Sequence, residues 1–149
     1  MNKMNAIAKI DDEQEAIEDK KIKFIDGIPG FVEYKNYIIE LNEDSENPFH
    51  KLQSVDEPEL SFIIVNPFLF KEDYEFDIPK SAIERLEIRD KSDILVYSIV
   101  VVPEDYTKMT ANLQAPIIIN TKNMIGKQVI LNENIYTTKH YILEEMNKE

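Results

Sequence analysis

Ile94-Leu95-Val96-Tyr97-Ser98-Ile99-Val100-Val101-Val102 is apolar at every position but one, and six of its nine residues are β-branched valine or isoleucine. Branching at Cβ restricts side-chain rotamers in a helix and packs well on a pleated surface. The run is also far shorter than a bilayer-spanning helix. It therefore predicts a strand buried on both faces or central to a sheet. Shorter runs of the same kind surround it: Ile22-Lys23-Phe24-Ile25, Tyr37-Ile38-Ile39-Glu40-Leu41, Ser61-Phe62-Ile63-Ile64-Val65, Pro116-Ile117-Ile118-Ile119 and Gln128-Val129-Ile130-Leu131. Ala6-Ile7-Ala8-Lys9-Ile10 is a weaker strand candidate. Gly, Pro, Asn and Asp bound these segments, as turns require.

Helical signals are few. Pro79 precedes Ala82, Ile83 and Leu86 at helical spacing, which predicts one short helix. Phe31-Val32-Glu33-Tyr34 fits a single helical turn, and residues 141–146 fit a terminal helix with Ile142, Leu143 and Met146 on one face. Neither a repeat nor a linker divides the chain. The expectation is one domain over residues 1–149, mainly β, a small antiparallel β-barrel-like fold with a few short helices. Closing the sheet would remove the exposed edges of so many apolar strands.

The chain carries 17 Lys plus Arg against 29 Asp plus Glu, a formal net charge of -12, and no cysteine. Disulfides, thiolate nucleophiles and Cys-ligated metal centres are excluded. The acidity opposes binding to a phosphate backbone or an anionic membrane surface, both of which need a basic face. No basic-then-apolar leader opens the chain, and the lack of cysteine fits a reducing compartment. The charge is uneven: residues 31–93 hold 16 acids and 7 bases, and no acid occurs between Tyr106 and Asn132. Acidic loops that keep a small protein soluble and an electrostatic field that steers a basic partner explain this equally well.

Enzyme signatures are missing. The three glycines, Gly27, Gly30 and Gly126, build no phosphate-cradling loop, and Gly27-Ile28-Pro29-Gly30 reads as a turn that reverses the chain. His50 and His140 have no metal-ligand spacing, and no serine lies in a nucleophile elbow. No catalytic residue, metal ligand or cofactor site is assigned. Phe68, Phe70, Tyr74 and Phe76 recur at even spacing. They fit a cap on one end of a barrel core, and alternatively a partly exposed patch that anchors a protein partner. Acids at Glu72, Asp73, Glu75 and Asp77 exclude base stacking.

Several segments, in order, resemble one known family. They are Gly27-Ile28-Pro29-Gly30-Phe31, Leu52-Gln53-Ser54, Asn66-Pro67-Phe68-Leu69-Phe70, Asp73-Tyr74-Glu75-Phe76, Val102-Pro103, Met109-Thr110-Ala111-Asn112-Leu113, Ala115-Pro116, Ile119-Asn120-Thr121-Lys122-Asn123 and Gly126-Lys127-Gln128. Together they resemble the flagellar assembly factor FliW family along nearly the whole chain. Gln114 stands where much of that family has an apolar residue. The resemblance implies a bacterial, cytoplasmic, non-enzymatic protein with a β-barrel-like fold and no cofactor. It further implies binding to the translational regulator CsrA, which relieves repression of flagellin mRNA, with flagellin as a competing partner. An export chaperone that binds flagellin only is the alternative. Joined to its lack of acids, the dense match over residues 108–128 marks Met109, Thr110, Asn112, Asn120, Lys122 and Asn123 as expected partner contacts. Phe68, Phe70 and Tyr74 are added if the aromatic patch is exposed.

Overall fold

The computed structural model describes Ile17, residues 20–132 and residues 134–146. The predicted strand at residues 6–10 lies outside them. Among the described residues nine strands follow one another: β1 (Lys21–Phe24), β2 (Asn36–Glu40), β3 (Phe49–Ser54), β4 (Ser61–Val65), β5 (Ile94–Val101), β6 (Thr110–Ala111), β7 (Ile117–Asn120), β8 (Ile125–Gln128) and β9 (His140–Tyr141). Two short α-helices among the described residues are α1 (Lys80–Arg85), between β4 and β5, and α2 (Ile142–Met146), after β9.

The long apolar run becomes β5, and the pairing explains its composition. β5 lies between β4 on one side and β7 and then β6 on the other. The strand order β1-β2-β3-β4-β5-β7-β8 closes on itself, because β8 also pairs with β1. The fold is thus a mainly β, barrel-like domain, as the sequence predicts. It departs from an all-antiparallel barrel at that one seam, where β1 and β8 run parallel. Gly126 sits at the seam opposite Phe24 and Ile119. An added Cβ there would lie only 3.3 Å from both the Ile119 side chain and the Phe24 ring, so a side chain would crowd the closure.

Alternation along the strands makes two cores. Ile22, Phe24, Tyr37, Ile39, Leu52, Ile64, Tyr97, Ile117 and Ile119 point into the lumen and fill it, joined by Ile17. On the outer face, Val65, Val96, Val100 and Ile118 are covered by the β4–β5 connection and by residues after β8. A strand with a packed layer on each face needs no polar alternation, which is why β5 reads as continuous. The prediction holds for Val96 to Val100 but not at the end of the run. Val101 and Val102 are 62% and 46% exposed, because β5 overshoots the closed ring.

Other expectations meet the structure unevenly. Helix α1 starts directly after Pro79 as predicted. Gly27-Ile28-Pro29-Gly30 does reverse the chain: Phe31 N–H donates to the Ile28 carbonyl at 2.7 Å, with Gly30 at φ 90° as a type II turn requires. Residues 31–34 make a hydrogen-bonded turn, Tyr34 N–H to Phe31 O, but no helix. The strand expected at residues 128–131 falls earlier, at β8. Val129 and Leu131 are nonetheless buried in the outer core.

Candidate functional site

The aromatic segment lies inside. Asn66 starts a 3-10 turn, Pro67–Leu69, by accepting the Phe68 N–H on its side-chain oxygen at 3.0 Å. This swings Phe68 and Phe70 inward. Phe68, Phe70 and Tyr74 are 6%, 7% and 1% exposed. The Tyr74 ring packs against Phe68, Phe76 and Tyr136 with centroids 4.7–5.4 Å apart. Its hydroxyl donates to the Leu113 carbonyl at 2.7 Å, and burial pushes its phenol well above the usual range. These three residues are therefore core, as the first reading of the spacing has it, but in the layer on the outer face and not at one end of the barrel lumen. They present no anchor to a partner in this conformation.

The acid-free stretch is also largely interior. Thr110 and Asn120 are buried, and all four residues of β7 are buried. A carboxylate in such a place would be desolvated without a counter-charge, so burial alone accounts for the missing acids. Its asparagines serve the backbone. Asn112 Oδ1 accepts from Gln114 N and Ala115 N at 3.1 and 3.0 Å. Gln114, the departure from the family pattern, donates from Nε2 to the Leu131 carbonyl at 2.9 Å. Asn120 Nδ2 donates to the carbonyls of Leu86 and Glu87 at 2.9 and 3.2 Å, while its Oδ1 accepts from Lys122 N at 2.9 Å. Asn123 adds a longer bond to Leu86 O at 3.4 Å. Together they tie the β7–β8 turn to the end of α1.

The expected contacts also fall apart in space. Thr110 pairs with Val101 at the finish of β5, whereas Asn120 pairs with Ile94 at its start. Seven residue steps of strand separate the two places by about 23 Å. Met109 and Asn112, both half-buried, belong to the upper end, where β5 finishes. Lys122 and Asn123 are exposed at the lower end. The nine expected residues make no single patch.

Ionisable groups cluster little. Asp26 accepts from Arg85 Nη2 of α1 at 2.8 Å and from Lys127 Nζ of β8 at 2.9 Å. These two hydrogen bonds and their charges hold its carboxyl down to about 2. A lowered carboxylate pKa gives stability that is present above the unfolded value near 3.8 and lost as pH falls towards 2. The carboxylate is 37% exposed, so screening keeps the contribution to about 1 kcal/mol or less. Urea unfolding at pH 6, 4 and 3 should show Asp26→Asn approaching wild type as pH falls. A gap that stayed constant would refute the assignment. No group of three or more His, Asp or Glu among the described residues could hold a metal ion. His50 Nδ1 accepts from Asn42 N at 3.0 Å, and His140 Nε2 lies 3.0 Å from Glu145 Oε1.

What remains outward is charge and an apolar rim. None of the 16 acids in residues 31–93 is buried. Phe31, Val101, Tyr106 and Tyr141 are exposed at the upper end by 39%, 62%, 65% and 46%. Sequence reading missed these residues. The signal available was the overshoot of the β5 run beyond the length of its partners.

The fold defines a small mixed β-barrel whose lumen is filled by side chains. The family model described as FliW protein matches residues 4–142, and the chain belongs to the FliW family. It is 55% identical over 136 residues to the flagellar assembly factor FliW of Alkaliphilus metalliredigens, covering 91% of this chain and 84% of that one. The flagellar assembly factor FliW of Bacillus subtilis is 50% identical over 126 residues, with 84% and 87% covered. A crystal structure of the flagellar assembly factor FliW superposes with a TM-score of 0.77 at 37% identity, covering 95% of this chain and 96% of that one. Among the described residues no helix is long and apolar enough to cross a membrane.

Proposed function

We propose that this protein acts in the cytoplasm as a non-enzymatic flagellar assembly factor that binds the translational regulator CsrA. Binding would relieve repression of flagellin mRNA, with flagellin as the competing partner. Family membership supports the flagellar role. The observation that carries the finer reading is the outward placement of every acid in residues 31–93, an excess of nine negative charges over 63 residues. Such a field raises the encounter rate with a basic regulator and repels RNA from the complex.

Stopped-flow titration of purified CsrA across a salt series tests this. The association rate is expected to fall about tenfold between 50 and 300 mM salt, with dissociation changing little. Dissociation that rises steeply instead would mean that carboxylates touch CsrA directly. Added flagellin should displace CsrA. Binding of flagellin with no CsrA binding at all would replace this reading by the flagellin-only chaperone, which loses its aromatic anchor because Phe68, Phe70 and Tyr74 are buried. Lys122 and Asn123 are the exposed members of the sequence-derived set. Lys122→Ala therefore probes the lower end without disturbing the fold.

A further inference from the structure

The register carries an apolar row across the upper end of the barrel. Val101 of β5 pairs with Thr110 of β6, which pairs with Tyr141 of β9, so these three side chains share one face. One step beyond the Ile63–Val100 pair, Phe62 of β4 falls beside Val101 on that same face. The Phe62 ring meets Phe31 edge-on, with centroids 5.6 Å apart. The row Phe31, Phe62, Val101, Tyr141 thus spans the loop before β2 and strands β4, β5 and β9, with Thr110 of β6 between Val101 and Tyr141. Phe31, Val101 and Tyr141 are all exposed. Large apolar side chains left in a line on a surface mark a docking site more often than a lone one does.

The loops around this row decide its occupant. The connections β1–β2, β3–β4 and β5–β6 all open at this end, and they carry Glu33, Asp56, Glu57, Glu59, Glu104 and Asp105. Against these six stand only Lys35 and Lys108, and Lys35 Nζ is turned onto the Val32 carbonyl at 2.8 Å. Asp26, the remaining acid of these connections, is already neutralised by Arg85 and Lys127. An apolar strip with an acidic rim matches a segment with an apolar stripe flanked by lysine and arginine. We propose that this upper face docks a basic amphipathic segment of a partner protein. The proposal rests on the reading of the protein as a binder of a basic regulator, and it places the contact at the end opposite Lys122 and Asn123.

The test uses the whole protein and a fluorescein-labelled 18-residue leucine–lysine peptide with an apolar helical stripe, read by anisotropy. A leucine–glutamate peptide of the same pattern is the charge control. The wild type is expected to bind the lysine peptide at least tenfold more tightly than the glutamate peptide. The double variant Val101→Ser/Tyr141→Ser should lose at least tenfold in affinity, while Lys122→Ala, exposed at the lower end, should not. If the double variant loses its cooperative melt, Val101→Ser alone makes the same comparison. Equal binding of both peptides, or equal binding by wild type and the Val101 variants, overturns the proposal. So does a dimer in sedimentation that the double variant abolishes, since a second copy would then be the occupant. CsrA titrated in parallel separates the two readings. Peptide bound but CsrA ignored overturns the proposed function and leaves the surface. CsrA and peptide both bound equally by wild type and double variant overturns the surface and leaves the function.

Discussion

Gly27→Ala is expected to destabilise the protein by about 3 kcal/mol, which for a chain of this size lowers the melting temperature by about 10 °C. Two costs combine. Gly27 sits at φ 69°, where a Cβ is strained by roughly 1 kcal/mol. The new methyl would also lie 2.5 Å from the Val32 Cα and 2.7 Å from the Val32 carbonyl oxygen. Both are backbone atoms, so relief requires moving the whole β1–β2 connection. That connection holds Ile28, 2% exposed, over the lumen, and Phe24 N–H is bonded to Lys35 O at 2.7 Å across its base. Gly30→Ala separates the two costs. Gly30 has φ 90° but no heavy atom within 4 Å of an added Cβ, so only the conformational cost of about 1 kcal/mol applies. Urea unfolding of both variants decides the matter. Equal losses would mean that the close approach to Val32 contributes nothing.

The turn containing Gly27 was legible because its chemistry is local: Pro29 fixes one φ and Gly30 supplies the positive one. Runs of β-branched residues were legible for the same reason. β3 was not, because Phe49-His50-Lys51-Leu52-Gln53-Ser54 has no Val or Ile, and its outer face carries a lysine and a glutamine. Its pairing with β2 and β4 and the burial of Leu52 in the lumen make it a strand. The parallel β1–β8 seam was illegible in principle. Lys23 and Ile125 meet across a hundred residues of sequence, and nothing local announces the pairing.

The candidate site shows a deeper difficulty. A stretch without acids is what a dry interface and a buried strand both produce, since each excludes an uncompensated carboxylate. Sequence alone does not distinguish them. The register does: β7 is enclosed on both faces and Thr110 is buried in β6, so Thr110 and Asn120 are spent on the fold. The acidic loops are the opposite case. Their composition was read correctly as surface, and the structure adds that those of the upper end converge around an apolar row that no composition count reveals.

Asn120 offers the sharpest separation between a contact residue and a structural one. Helix α1 ends in a Schellman motif: Ile88 N–H donates to Ile83 O at 3.0 Å and Glu87 N–H to Glu84 O at 3.1 Å. The left-handed position of that motif, usually glycine, is Glu87 at φ 57°. The carbonyls of Leu86 and Glu87, left over by the helix, accept from Asn120 Nδ2, while Asn120 Oδ1 accepts from Lys122 N–H of the β7–β8 turn. Asn120→Ala leaves the buried Leu86 carbonyl with only the long Asn123 bond and strips the Glu87 carbonyl of its donor, and should cost about 2 kcal/mol. Asn120→Asp should cost more at pH 7, about 4 kcal/mol, because one carboxylate oxygen keeps the Lys122 N–H while the other faces two carbonyl oxygens with no proton to offer. Burial and those oxygens raise the folded-state pKa of the new carboxyl above its unfolded value near 4. The penalty is thus full above the folded pKa and shrinks as pH falls through it, since a protonated carboxyl can donate to one carbonyl. Urea unfolding at pH 7 and 5 should show the Asp variant recovering towards the Ala variant, which itself is insensitive to pH. On the proposed function, each variant should bind CsrA as the wild type does below its melting temperature. Stability equal to wild type with binding lost would make Asn120 a contact residue and dismiss the clamp.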